Sequence, residues 1–472
     1  MSTPFPSLVI SADGFEAQGS FAESQATFLN PDPKVVSDLR GLLEAKNAGV
    51  VAHFYMDAEL QGVLTACDWP HIFISDSLAM ADAAVRMAEA GVKAVFVLGV
   101  DFMSENVRAV MDHAGFPDVP VYRLATDAIG CSLAESAQGP AYKAWLEKAA
   151  QGDNALHVIY INTGLDVKAR AHAVVPTITC TSSNVVQTIL QADSQIPGLR
   201  VHYGPDTYMG ENLRVLFGAL AQQSDADIAA LHPAHDQASV KALLERLDVF
   251  PNGNCVVHHM FGDAVAKQVE EDYGDCYITA HLEVPGEMFA IGARAQAAGT
   301  GVVGSTSNIL GFIRTKLNEA LGADEPTRLR FVLGTEAGML TAIVKAVRSL
   351  LQASGRTDVD VEIIFPVAQE VAAQTDVEGL GILPAVAGGE GCSTAGGCAS
   401  CPFMKMNELE GLFELLESLG GDRDLSGYHP KVYSERLGDR SLAEVGTEPI
   451  LHMRHFQRSG EMAAALVDAV TA

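Results

Sequence analysis

The chain has 472 residues with 59 acidic against 31 basic side chains, a formal net charge of −28, and it is 48% hydrophobic and 19% charged. This is the composition of a soluble globular protein with ample apolar material for its cores, long enough for two to four domains. No basic stripe is present, which argues against nucleic acid or an anionic membrane surface as partner, and no apolar run approaches the roughly 20 residues of a membrane span.

The first 33 residues contain no Lys or Arg, so neither a signal peptide nor a transit peptide is legible there. The expected compartment is the cytoplasm, or an organelle stroma after processing. Eight cysteines in a chain of this length do not make a disulfide framework and fit a reducing compartment. Residues 1–45 read as an N-terminal extension, polar and with Ser and Pro, that leads into a helix.

From there one pattern recurs. In residues 46–135 an apolar strand, Gly49 to Ala52, ends in His53-Phe54-Tyr55. A helix and a second strand lead to Ser75-Asp76-Ser77, and a buried strand within Val92–Val100 leads to Gly99-Val100-Asp101. In 136–272 the strand from Ala155 ends in Tyr160-Ile161-Asn162, followed by Thr181-Ser182-Ser183-Asn184 and Gly204-Pro205-Asp206. In 273–405 the strand from Cys276 ends in His281-Leu282-Glu283, followed by Ser305-Thr306-Ser307 and Gly334-Thr335-Glu336. Ser77 lies 24 residues after His53, Ser182 lies 22 after Tyr160 and Ser305 lies 24 after His281. A tail, 406–472, opens with a helix over Asn407–Leu419 and closes with an amphipathic segment near His452–Val470.

Strands alternating with helices at this spacing predict three similar three-layer α/β/α modules with parallel sheets. Ligands of such sheets bind outside the carboxyl ends of the strands, where all nine polar motifs fall. Three copies facing one another around a pseudo-threefold axis would share one central active site.

Each repeat is followed by a candidate thiolate: Cys131 in Gly130-Cys131-Ser132-Leu133, Cys255 in Asn254-Cys255-Val256-Val257-His258, and Cys401 in Cys398-Ala399-Ser400-Cys401-Pro402. Thiolates hold iron–sulfur clusters because soft sulfur suits the cluster iron. Three thiolates on a 4Fe–4S cluster leave one iron open as a Lewis acid, which suits dehydration and condensation rather than electron transfer. Two other readings stay open: Cys392, Cys398 and Cys401 as part of a zinc site, and Cys392 with Cys398 as a redox-active pair. Cys67, Cys180 and Cys276 sit in or beside apolar segments and read as core residues.

In this order the motifs resemble the quinolinate synthase family over roughly residues 38–420. They are His53-x-Tyr55, Asp76-Ser77-Leu78, Gly130-Cys131-Ser132-Leu133, Tyr160-Ile161-Asn162-Thr163, Cys180-Thr181-Ser182-Ser183-Asn184, Cys255-x-x-His258, His281-x-Glu283, Gly304-Ser305-Thr306-Ser307 and Cys401-Pro402-Phe403-Met404-Lys405. The chain departs from the family's usual His-Pro-Glu-Cys by reading His281-Leu282-Glu283-Val284. The resemblance implies one cluster cysteine per module and condensation of iminoaspartate with dihydroxyacetone phosphate. Quinolinate, phosphate and water result, in de novo NAD synthesis, with L-aspartate oxidase as the supplier of iminoaspartate.

For that reaction the expected acids and bases are Glu283, His281, Tyr55 and Tyr160, with Glu283 the main base and His281 and Tyr55 moving protons. His53, Ser77, Asn162, Ser182, His258, Ser305 and Thr306 are expected to bind substrate, the hydroxyl and amide groups at helix starts taking its carboxylates and phosphate. Two alternatives from other classes stand beside this one. They are a different 4Fe–4S hydro-lyase, and a metal-free α/β sugar-phosphate binding protein.

Overall fold

The computed structural model describes residues 4–366 and 401–472. The glycine-rich stretch with Cys392 and Cys398 lies outside the described residues.

The strands of the three large sheets, in chain order, are β1 (Ser7–Ile10), β2 (Phe15–Gln18), β3 (Ala48–His53), β4 (Ile72–Ser75), β5 (Ala94–Leu98), β6 (Val121–Tyr122), β7 (Ala155–Tyr160), β8 (Thr177–Cys180), β9 (Arg200–Gly204), β10 (Leu247–Val249), β11 (Tyr277–His281), β12 (Gly301–Gly304), β13 (Thr327–Gly334) and β14 (Val359–Ile364). They form a β4-β3-β5-β6 sheet, a β8-β7-β9-β10 sheet and a sheet containing β12-β11-β13-β14. The order of the four parallel strands is the same each time: second, first, third, fourth. The first strands β3 and β7 are buried at every position, as a parallel strand covered by helices on both faces must be.

Register places the polar motifs level with one another. His53 pairs opposite Ser75, Tyr160 opposite Cys180, and His281 opposite Gly304. Because these pairs are parallel, all nine motifs leave their sheets at carboxyl ends.

Helix starts follow directly. The Asp76 carboxylate accepts from the amides of Leu78 and Ala79 and caps the helix Ser77–Glu89. Ser305 caps Thr306–Leu321, and Asp206 caps Thr207–Leu220. A capping oxygen satisfies amides that the first helical turn leaves unpaired.

Two regions differ from the local reading. The N-terminal segment, expected as a polar extension, is a hairpin: β1 is buried throughout and pairs antiparallel with β14, so the third sheet is mixed rather than purely parallel. The apolar run Leu8-Val9-Ile10 supplies the buried face, while its partner Val361–Ile364 lies some 350 residues away. The tail's first helix is Leu409–Ser418, and the amphipathic segment is two helices, Leu442–Ser459 and Ala464–Thr471, parted at Gly460 in the left-handed region (φ 75°). The first of these two packs so tightly on the helix Leu165–Val174 that a Cβ on Gly446 would stand 2.3 Å from the Leu165 carbonyl oxygen. Among the described residues no helix is long and apolar enough to cross a membrane.

Candidate active site

The carboxyl ends of the three sheets open onto one cavity. Cys131, Cys255 and Cys401 all line it. Each follows the fourth strand of a different sheet: Cys131 after β6, Cys255 after β10 and Cys401 after β14.

Each cysteine also opens a helical turn whose amides face its sulfur: Leu133 and Ala134 for Cys131, His258 for Cys255, and Phe403 and Met404 for Cys401. Burial pushes the Cys131 thiol up to about 11 and raises the other two further, against the pull of those amides. Such thiols ionise when a metal cation displaces the proton, which is the behaviour of a metal ligand. A smaller donor group overlaps this set. Ligand atoms of Cys255, His258 and Glu283 lie within 4.8 Å of one another.

His53, Tyr55, Ser77, Tyr160, Asn162, Ser182, His281, Glu283 and Thr306 line the same cavity. His258 and Ser305 do not. Ser305 bonds Asn308 and caps its helix, and His258 is fully buried behind Glu283, stacked on His281 at 5.1 Å and 9°. No Lys or Arg is among the lining residues described. Ser77 and Thr306 instead begin helices, and Ser182 precedes the helix Val185–Gln195 by one turn. Three positive helix ends therefore face one cavity.

The two histidines have assignable tautomers. The Tyr55 amide donates to Nδ1 of His53 at 3.2 Å, and the Glu283 amide donates to Nδ1 of His281 at 3.3 Å. An accepting Nδ1 carries no proton, so in each ring the proton sits on Nε2. Burial lowers both imidazoles to about 4, against the attraction of Glu283, and both are neutral at pH 7.

Glu283 sits at the centre of this group. Tyr160 donates its phenolic proton to Oε1, and His258 Nδ1 lies 3.1 Å from Oε2, out of line for a hydrogen bond. Burial opposes ionisation here, but His258, His281 and the Tyr160 hydroxyl outweigh it and hold the carboxyl at about 2. The Tyr160 phenol, aimed at Oε1, favours the charged carboxylate. Burial and that carboxylate together hold Tyr160 protonated.

The family model for quinolinate synthetase A protein matches residues 37–423. The chain belongs to the quinolinate synthetase A protein family. It is 54% identical to a chloroplastic quinolinate synthase of Nicotiana tabacum over 99% of this chain and 66% of that protein. It is 52% identical to the chloroplastic quinolinate synthases of Oryza sativa subsp. japonica and Arabidopsis thaliana, over 99% of this chain and 69% and 67% of theirs. The chain thus spans about two thirds of the length of these relatives.

This member of the quinolinate synthetase A family also brings in side chains that motif reading passed over. Glu336 lines the cavity, is 3% exposed, and has one carboxylate oxygen without a partner. Burial and the Glu283 charge raise its carboxyl well above the usual range, opposed by the Cys401 amide. Its neighbour Thr335 meets the Tyr55 hydroxyl at 3.3 Å. The signal was present: Glu336 holds the repeat position of Asp101 and Asp206. Asp101 pairs with Arg123 and Asp206 caps a helix, so only tertiary contacts separate the three roles.

Proposed function

We propose that this cavity condenses iminoaspartate with dihydroxyacetone phosphate to quinolinate, with release of phosphate and water, in de novo NAD biosynthesis. Cys131, Cys255 and Cys401 would hold a 4Fe–4S cluster. The observation that carries the reading is that one cysteine from each sheet reaches the same cavity as Glu283, Tyr160, His281 and Tyr55. The donor set fits: three soft ligands, each facing helical-turn amides, leave a fourth coordination position to a substrate. When bound, the cluster supplies a Lewis-acidic iron that eases departure of a hydroxyl.

The chain's own residues supply the rest. Both substrates are anionic, and the cavity meets them with neutral donors: Ser77, Asn162, Ser182 and Thr306 near helix starts, and the Nε2–H groups of His53 and His281. Closing a pyridine ring requires protons to leave carbon and nitrogen and to reach departing oxygens. Glu283, ionised and oriented by Tyr160, accepts protons, while the Tyr55 hydroxyl and His281 Nε2–H donate them. His258 and Ser305 act behind these, His258 by stacking on His281. The reading implies an L-aspartate oxidase as the source of iminoaspartate. The relatives' chloroplastic names support an organelle stroma as the compartment.

The deciding experiment is anaerobic incubation of the purified chain with iminoaspartate and dihydroxyacetone phosphate, with quinolinate measured. Iron and sulfide analysis of Glu283→Gln separates the cluster from a single metal ion on Cys255, His258 and Glu283. Full iron and sulfide in that variant supports the three-cysteine cluster, and loss of the metal supports the smaller group.

A further inference from the structure

Each repeat ends its first strand in a motif whose third residue faces the cavity: Tyr55, Asn162 and Glu283. The peptide carbonyls on either side of that residue are carried into a tight, buried turn. Such carbonyls need donors, and the turn amides supply only one, from Thr163 to the Ile161 carbonyl at 2.7 Å.

One buried side chain answers both carbonyls in every repeat. Gln61 Nε2 donates to the carbonyl of Phe54 and, at 3.2 Å, to that of Met56, the two neighbours of Tyr55. It also reaches the Gly338 carbonyl at 2.6 Å, in the turn that follows Glu336, so its two protons are shared among three carbonyls. Lys168 Nζ donates to Ile161 at 3.1 Å and to Thr163, the two neighbours of Asn162. Asn212 Nδ2 donates to Leu282 and Val284, both at 2.8 Å, the two neighbours of Glu283. Gln61, Lys168 and Asn212 are 1%, 0% and 1% exposed.

The first two are a repeat feature in the strict sense. Gln61 and Lys168 each lie six residues after the cavity residue they serve, one turn into the helix that follows it. In the third repeat that position is Phe289, a core residue. The donor is replaced from outside, by Asn212 on the helix Thr207–Leu220, which belongs with the second sheet.

We infer that Gln61, Lys168 and Asn212 are positioning residues for catalysis. Each clamps the backbone on both sides of one cavity side chain and so fixes the direction in which Tyr55, Asn162 or Glu283 projects. Asn212 in addition ties the Glu283 turn to the neighbouring repeat. Fixing both flanking carbonyls removes the peptide rotation by which a turn residue swings its side chain. A misplacement of about 1 Å at a reacting group costs on the order of a hundredfold in rate.

The inference rests on the proposed roles of Glu283 and Asn162, and it is tested in anaerobically purified holoenzyme. Asn212→Leu is expected to lower kcat roughly 10- to 100-fold with iron content and both KM values little changed, because Glu283 is aimed at proton transfer. Lys168→Met is expected to raise KM roughly tenfold or more with kcat nearly kept, because Asn162 binds. Val344→Ala, a core change away from the cavity, serves as the stability control and should move neither. The double variant Asn212→Leu with Glu283→Gln should be no slower than Glu283→Gln alone, since the clamp acts through Glu283. Should Asn212→Leu fail to fold, Asn212→Ser, which removes the donor pair and leaves room for water, is read in the same way.

Unchanged kcat in Asn212→Leu or Asn212→Ser, full additivity in the double variant, or equal losses in Val344→Ala at the same melting temperature would overturn the clamp. Inactive wild type, or an unaffected Glu283→Gln, would instead overturn the proposed reaction or the role of Glu283.

Discussion

Two groups of buried and half-buried ionisable side chains meet at the Tyr160–Thr163 turn, and they are finished differently. One is Glu283 with Tyr160, His258, His281 and, nearby, Glu336. The other is Glu105 with Lys168, Asp166 and Tyr433. In the second group both Glu105 oxygens are used: Glu105 takes the Leu165 amide at 2.8 Å and the Tyr433 hydroxyl at 3.0 Å, and Tyr433 also reaches Asp166 at 3.3 Å. Lys168 spends its protons on two carbonyls. In the first group Nε2 of His258 and one oxygen of Glu336 have no partner. An unpaired buried polar atom costs about 1–3 kcal/mol. The Glu283 group carries that cost and Glu105 does not, which fits a ligand site beside an internal brace.

That contrast is sharpened first at the cysteines, where the largest effect is expected. Replacing Cys131, Cys255 or Cys401 by Ser should abolish iron content and activity together. Cys67→Ser and Cys276→Ser should keep both, since these two lie away from the cavity. A Cys255→Ser protein with its full iron would break the assignment.

Next comes Glu283→Gln, which keeps shape and reach but removes the base. Turnover should fall about a hundredfold or more while the cluster assembles and substrate binds. A lower melting temperature with near-normal turnover would make Glu283 a brace like Glu105.

A smaller change is expected from Ser182→Ala and Thr306→Ala. Losing one hydrogen bond to a charged group costs about 1.5–3 kcal/mol, read as a raised KM with kcat largely kept. If both Michaelis constants stay put in both variants, the helix starts do not hold the substrates.

The converse holds for the second group. Glu105→Ala leaves the Leu165 amide without its acceptor and frees the Tyr433 hydroxyl from its shorter bond, and an unpaired buried polar group costs about 1–3 kcal/mol. Melting temperature should drop while turnover per folded holoenzyme stays within a few-fold.

The smallest expected effect is on pH dependence. Burial lowers Lys168 to about 7, against the attraction of Glu105 and Asp166, whereas in the unfolded chain it titrates near its ordinary value. Between about pH 8 and 10 the unfolded state therefore binds the extra proton, and stability rises with pH. The melting temperature of the wild type measured against Lys168→Met should climb across that window, and a flat difference would show that Lys168 keeps its proton when folded.

Much of the molecule was legible before folding was considered. The strand-end motifs, their even spacing and the cysteine after each repeat are local features. A parallel strand fixes its register to its neighbours, so polar residues written after the strands arrive at one edge. The histidine tautomers follow from a two-residue turn, again a local matter. Tertiary structure decided the rest, because the deciding partner is remote in sequence. Leu8–Ile10 becomes a sheet strand only beside Val361–Ile364, and His258 is set behind Glu283 rather than against the cavity by its stack on His281. Glu336, Asp206 and Asp101 share one repeat position and diverge only through their neighbours. Asn212 is the sharpest case. Nothing near it in sequence marks it, and it acquires a task because Phe289 fills the core where a donor would otherwise stand, leaving two carbonyls that only the adjoining helix can reach.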